Sequence, residues 1–287
     1  MGEWLRDKLP ARVDVDALLT GERLVYQDGS VLDADDPYRP HTFVWFHRDL
    51  RDEAVVPGTI EVLHRDEHLV VVDKPPFLAT IPRGQHVAQS VVVRLRRELG
   101  LPELTPAHRL DRVTSGVLVL VTERRWRGAY QQLFARREVT KTYRALVPHR
   151  PEVDVPPVIR NHIRKDRGAL RALVVPGGPV NAETRLELES SAPDGDVIRL
   201  RPLTGRTHQL RLHLSGIGLP IVDDPLYPDV RDVAVDDFSR PLQLLAAELA
   251  FVDPLDGSER LFRSGRRLPL RPTDGAGPGV RPAASVG

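Results

Sequence analysis

The sequence predicts an α+β fold with a mixed, mainly antiparallel sheet and flanking helices, preceded by a small N-terminal module. Two observations support this prediction. Short runs of β-branched and aliphatic residues outnumber the segments with helical periodicity. These strand-like runs also do not alternate strictly with helices, which disfavours the alternating doubly wound and α/β-barrel architectures. At 287 residues the chain can form one large domain with appendages or two smaller domains.

The elements of the larger domain, predicted for residues 58–263, follow in chain order. Strand-like runs at 60–64 and 69–73 precede an amphipathic helix at 90–99, which ends at Gly100. A buried strand is predicted at 117–121, and a helix at 124–137. Further strands are predicted at 140–147, 182–188, 197–203, 242–252 and 260–263. Residues 264–287 are rich in Arg, Pro and Gly and predict a disordered tail.

Residues 1–57 are predicted to form the separate N-terminal module. They combine helical and short strand-like segments with turn residues. Their formal net charge is −5, whereas the remainder of the chain has a net charge of +6. The net charge of +1 for the whole chain therefore conceals two regions of opposite sign.

Composition excludes several classes of protein. The chain has no cysteine, which removes disulfides, thiolate catalysis and Cys-ligated metals or clusters. The N-terminus lacks the apolar core of a signal peptide, and no apolar run approaches the roughly 20 residues that span a bilayer. We therefore expect a cytoplasmic protein without a membrane partner.

The positive charge of the larger domain is concentrated in two stretches. Residues 105–150 have a net charge of +7, and residues 160–171 add +4. Arginines on the polar side of a helix, beside a strand that contains Tyr143, are typical of a surface that follows a phosphate backbone. The alternative is an ordinary solvated helix.

The densest polar segment is residues 106–116, directly before the strand predicted at 117–121. Asp111 stands between Arg109 and Arg112 and is followed by a Thr-Ser-Gly turn. One interpretation is a surface loop with a solvated ion pair. The other is a lone catalytic carboxylate that neighbouring cations keep ionised.

Residues 203–214 form a second polar segment. A strand ends at 203, Gly205 permits a tight turn, and Thr207 is a predicted N-cap for the following helix. With Arg206 in the turn, this arrangement predicts an anion site. His208 and His213 are five residues apart and do not share one helical face, so we predict no metal site.

The third segment is the strand at 140–147. Tyr143 shares a strand face with Lys141. Tyr143 is interpreted either as a core residue or as an aromatic platform for a base, where stacking contributes about 1–3 kcal/mol.

Together the segments resemble the RluA-type RNA pseudouridine synthase family. The resemblance rests on residues 108–116 (His-Arg-Leu-Asp-Arg-Val-Thr-Ser-Gly) and on three further segments in the family's order, at 72–76, 141–143 and 205–211. It covers roughly residues 58–255. Two segments depart from the family pattern, at 222–228, where Gly-Asp is usual, and at 244–246, where Leu-His-Ala is usual. Because neither belongs to the expected catalytic set, we expect them to affect substrate choice rather than the reaction.

The resemblance implies cofactor-free isomerisation of uridine to pseudouridine in structured ribosomal or transfer RNA. We also expect a monomer. It implies that Asp111 is the essential carboxylate, as nucleophile or as base, and that Arg206 forms an ion pair with it. Tyr143 is expected to pack on the uracil and help move a proton, and Arg109 to fill the space of the flipped uridine. The remaining residues expected to contact RNA are His108, Arg112, Thr114, Lys74, Lys141, Thr207, His208, Gln209 and Arg211.

Many relatives carry a small basic RNA-binding domain of the S4 type at the N-terminus. Residues 1–57 occupy a comparable position, but their acidic charge is unsuited to phosphate. We therefore expect a degenerate S4-like or packing module.

Three alternatives to a uridine isomerase are open at this point. A non-catalytic RNA-binding or ribosome-assembly protein on the same scaffold would form no pseudouridine. A glycosidase or base glycosylase would release uracil, although most glycosidases use two carboxylates. A metal hydrolase would lose activity in chelator.

Overall fold

The computed structural model describes residues 1–11, 13–46, 52–84 and 86–272. The chain divides into two compact units, Met1–Asp52 and the part from Glu53 onward. The boundary falls five residues before the expected one at 57/58. The Glu53 carboxylate explains the difference, since it accepts hydrogen bonds from the backbone N–H groups of Val87, Ala88 and Gln89 at 2.8–2.9 Å.

In the described residues of the smaller unit there are two short helices and two short strands. They are α1 (Gly2–Lys8), α2 (Val15–Thr20), β1 (Leu24–Tyr26) and β2 (Val44–Phe46), and the strands pair antiparallel. Asp14 caps α2 by accepting a hydrogen bond from the Ala17 N–H. The unit has its own apolar core, formed by the buried residues Met1, Leu5, Val15, Leu24, Tyr26 and Leu32.

The larger unit is built on a ten-stranded sheet. Its strands are β3 (Glu61–Arg65), β4 (Leu69–Lys74), β5 (Thr105–Pro106), β6 (Ser115–Val121), β7 (Thr140–Val147), β8 (Val158–Asn161), β11 (Ala182–Ala192), β12 (Gly195–Pro202), β13 (Leu244–Val252) and β14 (Glu259–Arg263). The order is β3-β4-β6-β13-β7-β12-β11-β8, with β5 paired to β6 and β14 to β13. The pairs are antiparallel except β6 with β13, which is parallel. The predicted mixed, mainly antiparallel α+β fold is confirmed.

Three helices flank the sheet: α3 (Val91–Leu99), α4 (Arg127–Arg136), which follows a 3₁₀ turn, and α5 (Gln209–Gly216). Gly100 ends α3 in the left-handed region, as predicted. Helix α5 starts at Gln209, and the residue at its N-cap is His208 rather than Thr207. The predicted Thr207 cap is therefore wrong. Within the described ranges, each helix is too short or too polar to cross a bilayer.

The parallel contact between β6 and β13 depends on Gly116. A Cβ at this position would lie 2.2 Å from the Ala246 carbonyl oxygen, and the Gly116 φ is +111°. Glycine thus lets the strand that follows the Asp111 loop approach the backbone of β13.

The larger unit differs from the prediction in several strands and in the tail. Strands β5 and β8 were not predicted. An unpredicted hairpin of β9 (Ile163–Arg164) and β10 (Leu173–Val174) follows β8, because two-residue strands have too little periodicity to detect. Part of the expected disordered tail is ordered: the buried guanidinium of Arg266 pairs with Asp73 at 3.1 Å, and Leu270 is buried. The prediction of disorder is wrong for 264–272, and residues 273–287 lie outside the described ranges.

Candidate active site

A cavity of about 820 Å³ opens in the larger unit where the Asp111 loop, β7 and the turn before α5 meet. Among the described residues that line it, Asp111 is the single carboxylate. The cationic side chains that line it are Arg83, Arg109, Arg112, Arg137, Lys141, Arg206 and Arg211. A cavity with this charge suits a polyanion, and its isolated carboxylate is a candidate for acid–base or nucleophilic chemistry.

The backbone on both sides of Asp111 is held by buried side chains. Thr80 donates a 2.8 Å hydrogen bond to the Leu110 carbonyl and accepts one from the Leu110 N–H at 3.2 Å. Lys74 donates to the Arg112 carbonyl at 3.0 Å. The carbonyl of Asp111 itself accepts from the Thr114 N–H at 3.1 Å. The carboxylate therefore stands on a pre-organised turn.

Arg211 is the arginine beside Asp111. Its Nη1 lies 3.6 Å from the Asp111 Oδ2, and the same guanidinium donates to both oxygens of Asp224 at 2.8 and 2.6 Å. Burial opposes the charge of Arg211, but the bidentate bond to Asp224 and the nearby Asp111 together raise its pKa. The Asp224–Arg211 pair thus supplies a rigid cation to Asp111.

The predicted ion pair between Arg206 and Asp111 is wrong. Arg206 is exposed, and its Nε donates to the Asn181 carbonyl at 3.2 Å. The physical reason is the start of α5: Arg206 lies in the preceding turn, whereas Arg211 projects from the helix. The expectation that the 222–228 segment stands apart from the catalytic set is also wrong, because its Asp224 holds Arg211.

Two residues expected to contact RNA instead form the buried framework. Lys74 is 0% exposed, and its ammonium group is hydrogen-bonded to carbonyl oxygens of the protein. The Gln209 Oε1 accepts from the Thr204 hydroxyl and from the Arg206 N–H, and its Nε2 donates to the Glu183 carbonyl and the Thr184 hydroxyl. These bonds shape the turn before α5.

Tyr143 lines the same cavity as Asp111 from β7 and is half-buried. Burial, together with the charge of Asp111, raises the pKa of its hydroxyl. At neutral pH the phenol is therefore protonated and able to donate a hydrogen bond. Lys141 also lines the cavity, and burial lowers its pKa.

His108 supports β6 from the edge of the cavity. Its Nε2 accepts a hydrogen bond from the Val119 N–H at 3.1 Å, and its ring stacks on Phe134 with 4.5 Å between centroids. Burial lowers the His108 pKa to about 3. The neutral imidazole therefore contributes shape rather than charge.

The remaining expected residues also line the cavity. Arg109 and Thr207 are exposed, so both can reach a bound polynucleotide. Arg112 is half-buried and lies over the Phe77 ring at 5.8 Å, while Thr114 is buried. The His208 Nε2 lies 3.9 Å from the Asp111 Oδ2.

Sequence reasoning missed Thr80, Asp224 and Tyr227. Thr80 is separated from the Asp111 loop by 30 residues and carries no motif signal. The tyrosine hydroxyl of Tyr227 contacts His208 at 2.9 Å. Asp224 and Tyr227 lie in the segment at 222–228, which was compared with the family pattern but was not linked to the site. Across the described residues, no three His, Asp or Glu side chains meet in a group that could hold a metal ion.

Comparison with known proteins finds similarity to RNA pseudouridine synthases. A family model described as RNA pseudouridylate synthase matches residues 68–216. The dual-specificity RNA pseudouridine synthase RluA of Escherichia coli (strain K12) is 33% identical over 213 residues, which cover 71% of this chain and 91% of that protein. The mitochondrial tRNA pseudouridine(32) synthase of Saccharomyces cerevisiae (strain ATCC 204508 / S288c) is 33% identical over 178 residues, covering 60% of this chain and 38% of that protein.

A solved structure is also similar. Human RNA pseudouridylate synthase domain containing 4 aligns with a TM-score of 0.53 at 29% identity, covering 71% of this chain and 87% of that one.

Proposed function

Because the chain belongs to the RluA-type RNA pseudouridine synthase family, we propose that Asp111 is the carboxylate with which it isomerises uridine in RNA. Family membership identifies the protein as an isomerase acting on RNA uridine. The observation that carries the proposal for Asp111 is its position as the single described carboxylate among the cations of the cavity.

The reaction breaks the N1–C1′ bond, turns the uracil and forms the C5–C1′ bond, while the proton at C5 leaves and N1 gains one. The product is an isomer, so the atoms balance without a co-reactant. Asp111 acts at the ribose, either on C1′ as a nucleophile or on C2′ as a base. Arg211 places its positive charge beside Asp111 and orients the carboxylate in both routes, since Asp224 holds the guanidinium in place.

Tyr143 is proposed to pack on the uracil. The protonated hydroxyl of Tyr143 donates to the base and serves in proton movement at C5. Arg109, exposed at the mouth of the cavity, fills the space that the flipped uridine leaves in the RNA. Flipping costs a few kcal/mol, which stacking on Tyr143 and pocket contacts repay.

The proposed substrates are structured ribosomal or transfer RNA, as the family resemblance implies. One relative is named as a dual-specificity RNA pseudouridine synthase and another as a tRNA pseudouridine(32) synthase, which supports an RNA substrate. We place the reaction in the cytoplasm, where these RNAs are found. The proposed unit is a monomer, since one chain supplies the carboxylate, the arginine and the tyrosine of the cavity. We propose that the acidic N-terminal unit has a structural role and is not the main RNA-binding surface.

The experiment incubates the purified chain with unmodified ribosomal and transfer RNA transcripts and maps pseudouridine at single-nucleotide resolution. Stoichiometric pseudouridine at defined sites, without release of uracil, is the expected result. Binding without modification of either RNA class would favour the non-catalytic alternative, and free uracil would favour a glycosylase.

A further inference from the structure

His208 directs a ring nitrogen at Asp111. The His208 Nε2 lies 3.9 Å from the Asp111 Oδ2, and the His208 side chain is 11% exposed. The backbone of His208 is in the left-handed region, with φ of 58° and ψ of 18°, and its side chain does not cap α5. The ring is therefore turned into the cavity rather than toward the helix N–H groups.

The other ring nitrogen is held by Tyr227. The His208 Nδ1 and the Tyr227 hydroxyl are 2.9 Å apart. That hydroxyl accepts from the Ala172 N–H and donates to the Ala172 carbonyl, both at 2.9 Å. Ala172 is fully buried, so its carbonyl needs this donor. A hydroxyl has one proton, and His208 must consequently donate from Nδ1.

A neutral His208 then presents the Nε2 lone pair to the cavity. Burial lowers the His208 pKa; Asp111 works against this effect, and Arg211 adds to it. Two acceptors, Nε2 and the Asp111 carboxylate, thus face each other across 3.9 Å. Neither acceptor can donate a hydrogen bond to the other, so the pair requires a bound ligand that supplies a donor.

The chemistry of the substrate identifies that donor. A uridine inside an RNA chain has two hydrogen-bond donors, the uracil N3–H and the ribose 2′-hydroxyl, because its 3′ and 5′ oxygens are esterified. Asp111 acts at C1′ or C2′ in either route. The donor beside those atoms is the 2′-hydroxyl.

We propose that the His208 Nε2 accepts a hydrogen bond from the 2′-hydroxyl of the target uridine and so helps the enzyme to select RNA over DNA. Tyr227 is a positioning residue, because its hydroxyl sets the His208 tautomer. The inference rests on the proposed function, since it takes Asp111 as the carboxylate acting at the ribose.

The test measures binding in an Asp111→Ala background, which separates affinity from turnover. The probes are two copies of an RNA stem-loop that the wild-type enzyme modifies, one with uridine and one with 2′-deoxyuridine at the target position. One neutral hydrogen bond predicts a preference for the ribose probe of about three- to tenfold in Kd.

Two substitutions of His208 separate the ring nitrogens. Asparagine tolerates the left-handed backbone and places an amide near the Nδ1 position, but it lacks a group at Nε2. His208→Asn is expected to reduce the ribose preference to about one. His208→Gln places an amide oxygen near the Nε2 position and is expected to retain part of the preference. Tyr227→Phe is expected to give an intermediate preference, because the ring loses the partner that sets its tautomer.

His149→Gln is the matched control. His149 is exposed and contacts Asp196, and it does not line the cavity, so the ribose preference is expected to stay unchanged. A folded His208→Asn variant that keeps the full preference would overturn the inference, as would an Asp111→Ala parent that binds both probes equally. Turnover by that parent would instead overturn the proposed role of Asp111, so the two failures are distinguishable.

Discussion

The Lys74 Nζ donates a 3.0 Å hydrogen bond to the carbonyl oxygen of Arg112, the residue that follows Asp111. The same ammonium group donates to the carbonyls of Pro75 and Leu78 at 3.0 and 2.8 Å. One fully buried lysine thereby joins the end of β4 to the loop that carries Asp111.

Replacing Lys74 with methionine keeps the length of the side chain and removes all three donors. Each buried carbonyl that loses its partner costs about 1–3 kcal/mol, so we expect a clear loss of unfolding free energy. The displaced loop should lower kcat more than it raises KM. Urea unfolding and steady-state kinetics measure both effects. Lys8→Met, at an exposed site, is the control and should change neither; equal stability of the two variants would contradict the role of Lys74.

We expect Arg211 to contribute to catalysis and Arg206 to contribute to RNA binding. Arg211→Gln removes the cation beside Asp111, and we expect kcat to fall on the order of a hundredfold or more. It also leaves Asp224 buried without its bidentate partner, which costs about 3–5 kcal/mol of stability. Arg206→Gln should leave kcat nearly unchanged, raise KM and reduce the salt dependence of RNA binding, since an exposed arginine contributes a phosphate contact.

Kinetics at several salt concentrations, on variants shown to be folded by circular dichroism, separate these two arginines. If Arg206→Gln lost kcat and Arg211→Gln did not, Arg206 would be the partner of Asp111 in the working enzyme.

Gly116→Ala tests the close approach of β6 and β13. The added Cβ would meet the Ala246 carbonyl oxygen at 2.2 Å, and the backbone φ of +111° disfavours any side chain. We expect a loss of unfolding free energy of at least about 2 kcal/mol. Gly128→Ala is the matched control, because its Cβ would meet no atom within 4 Å and alanine favours its helix. Thermal unfolding of both variants measures the contrast, and equal melting temperatures would argue against a tight junction.

The sequence was sufficient for the main features of this molecule. Periodicity predicted the principal strands and helices, and the polar segments around Asp111, Tyr143 and Arg211 all reach one cavity. It did not decide which arginine faces Asp111. That choice depends on the start of α5 and on Asp224, 13 residues further along, and neither is encoded in local periodicity.

Contacts between residues that are far apart in the sequence account for the other wrong predictions. Composition predicted disorder from residue 264, but the buried pair between Arg266 and Asp73 spans 193 residues and orders this part of the chain. Thr80 likewise acts on the Asp111 loop from a distant position and carries no local pattern. The segment at 72–76 pointed to Lys74, but only the folded chain shows that its role is to hold the Arg112 carbonyl.

His213 makes the stability of the fold sensitive to acid. Its Nδ1 contacts the Thr184 hydroxyl and its Nε2 contacts Asn161, and burial lowers its pKa from 6.5 to about 4. Between these values the unfolded chain binds more protons, so stability present above pH 6.5 is lost as the pH falls toward 4. Melting temperatures measured from pH 7.5 to 4 should decline less steeply in His213→Gln than in the wild type. An unchanged slope in that variant, matching the His149→Gln control, would show that other groups carry the acid sensitivity.

Pseudouridine formation by Asp111→Asn tests the central claim most directly. The substitution keeps the shape of the side chain and removes the carboxylate that both routes at the ribose require. The measurement compares wild type and variant on the same ribosomal and transfer RNA transcripts, with RNA affinity determined in parallel. We expect RNA binding within about threefold of the wild type, a change below 1 kcal/mol, and no pseudouridine. Pseudouridine formed by the variant at a rate close to the wild type would contradict the assignment of Asp111.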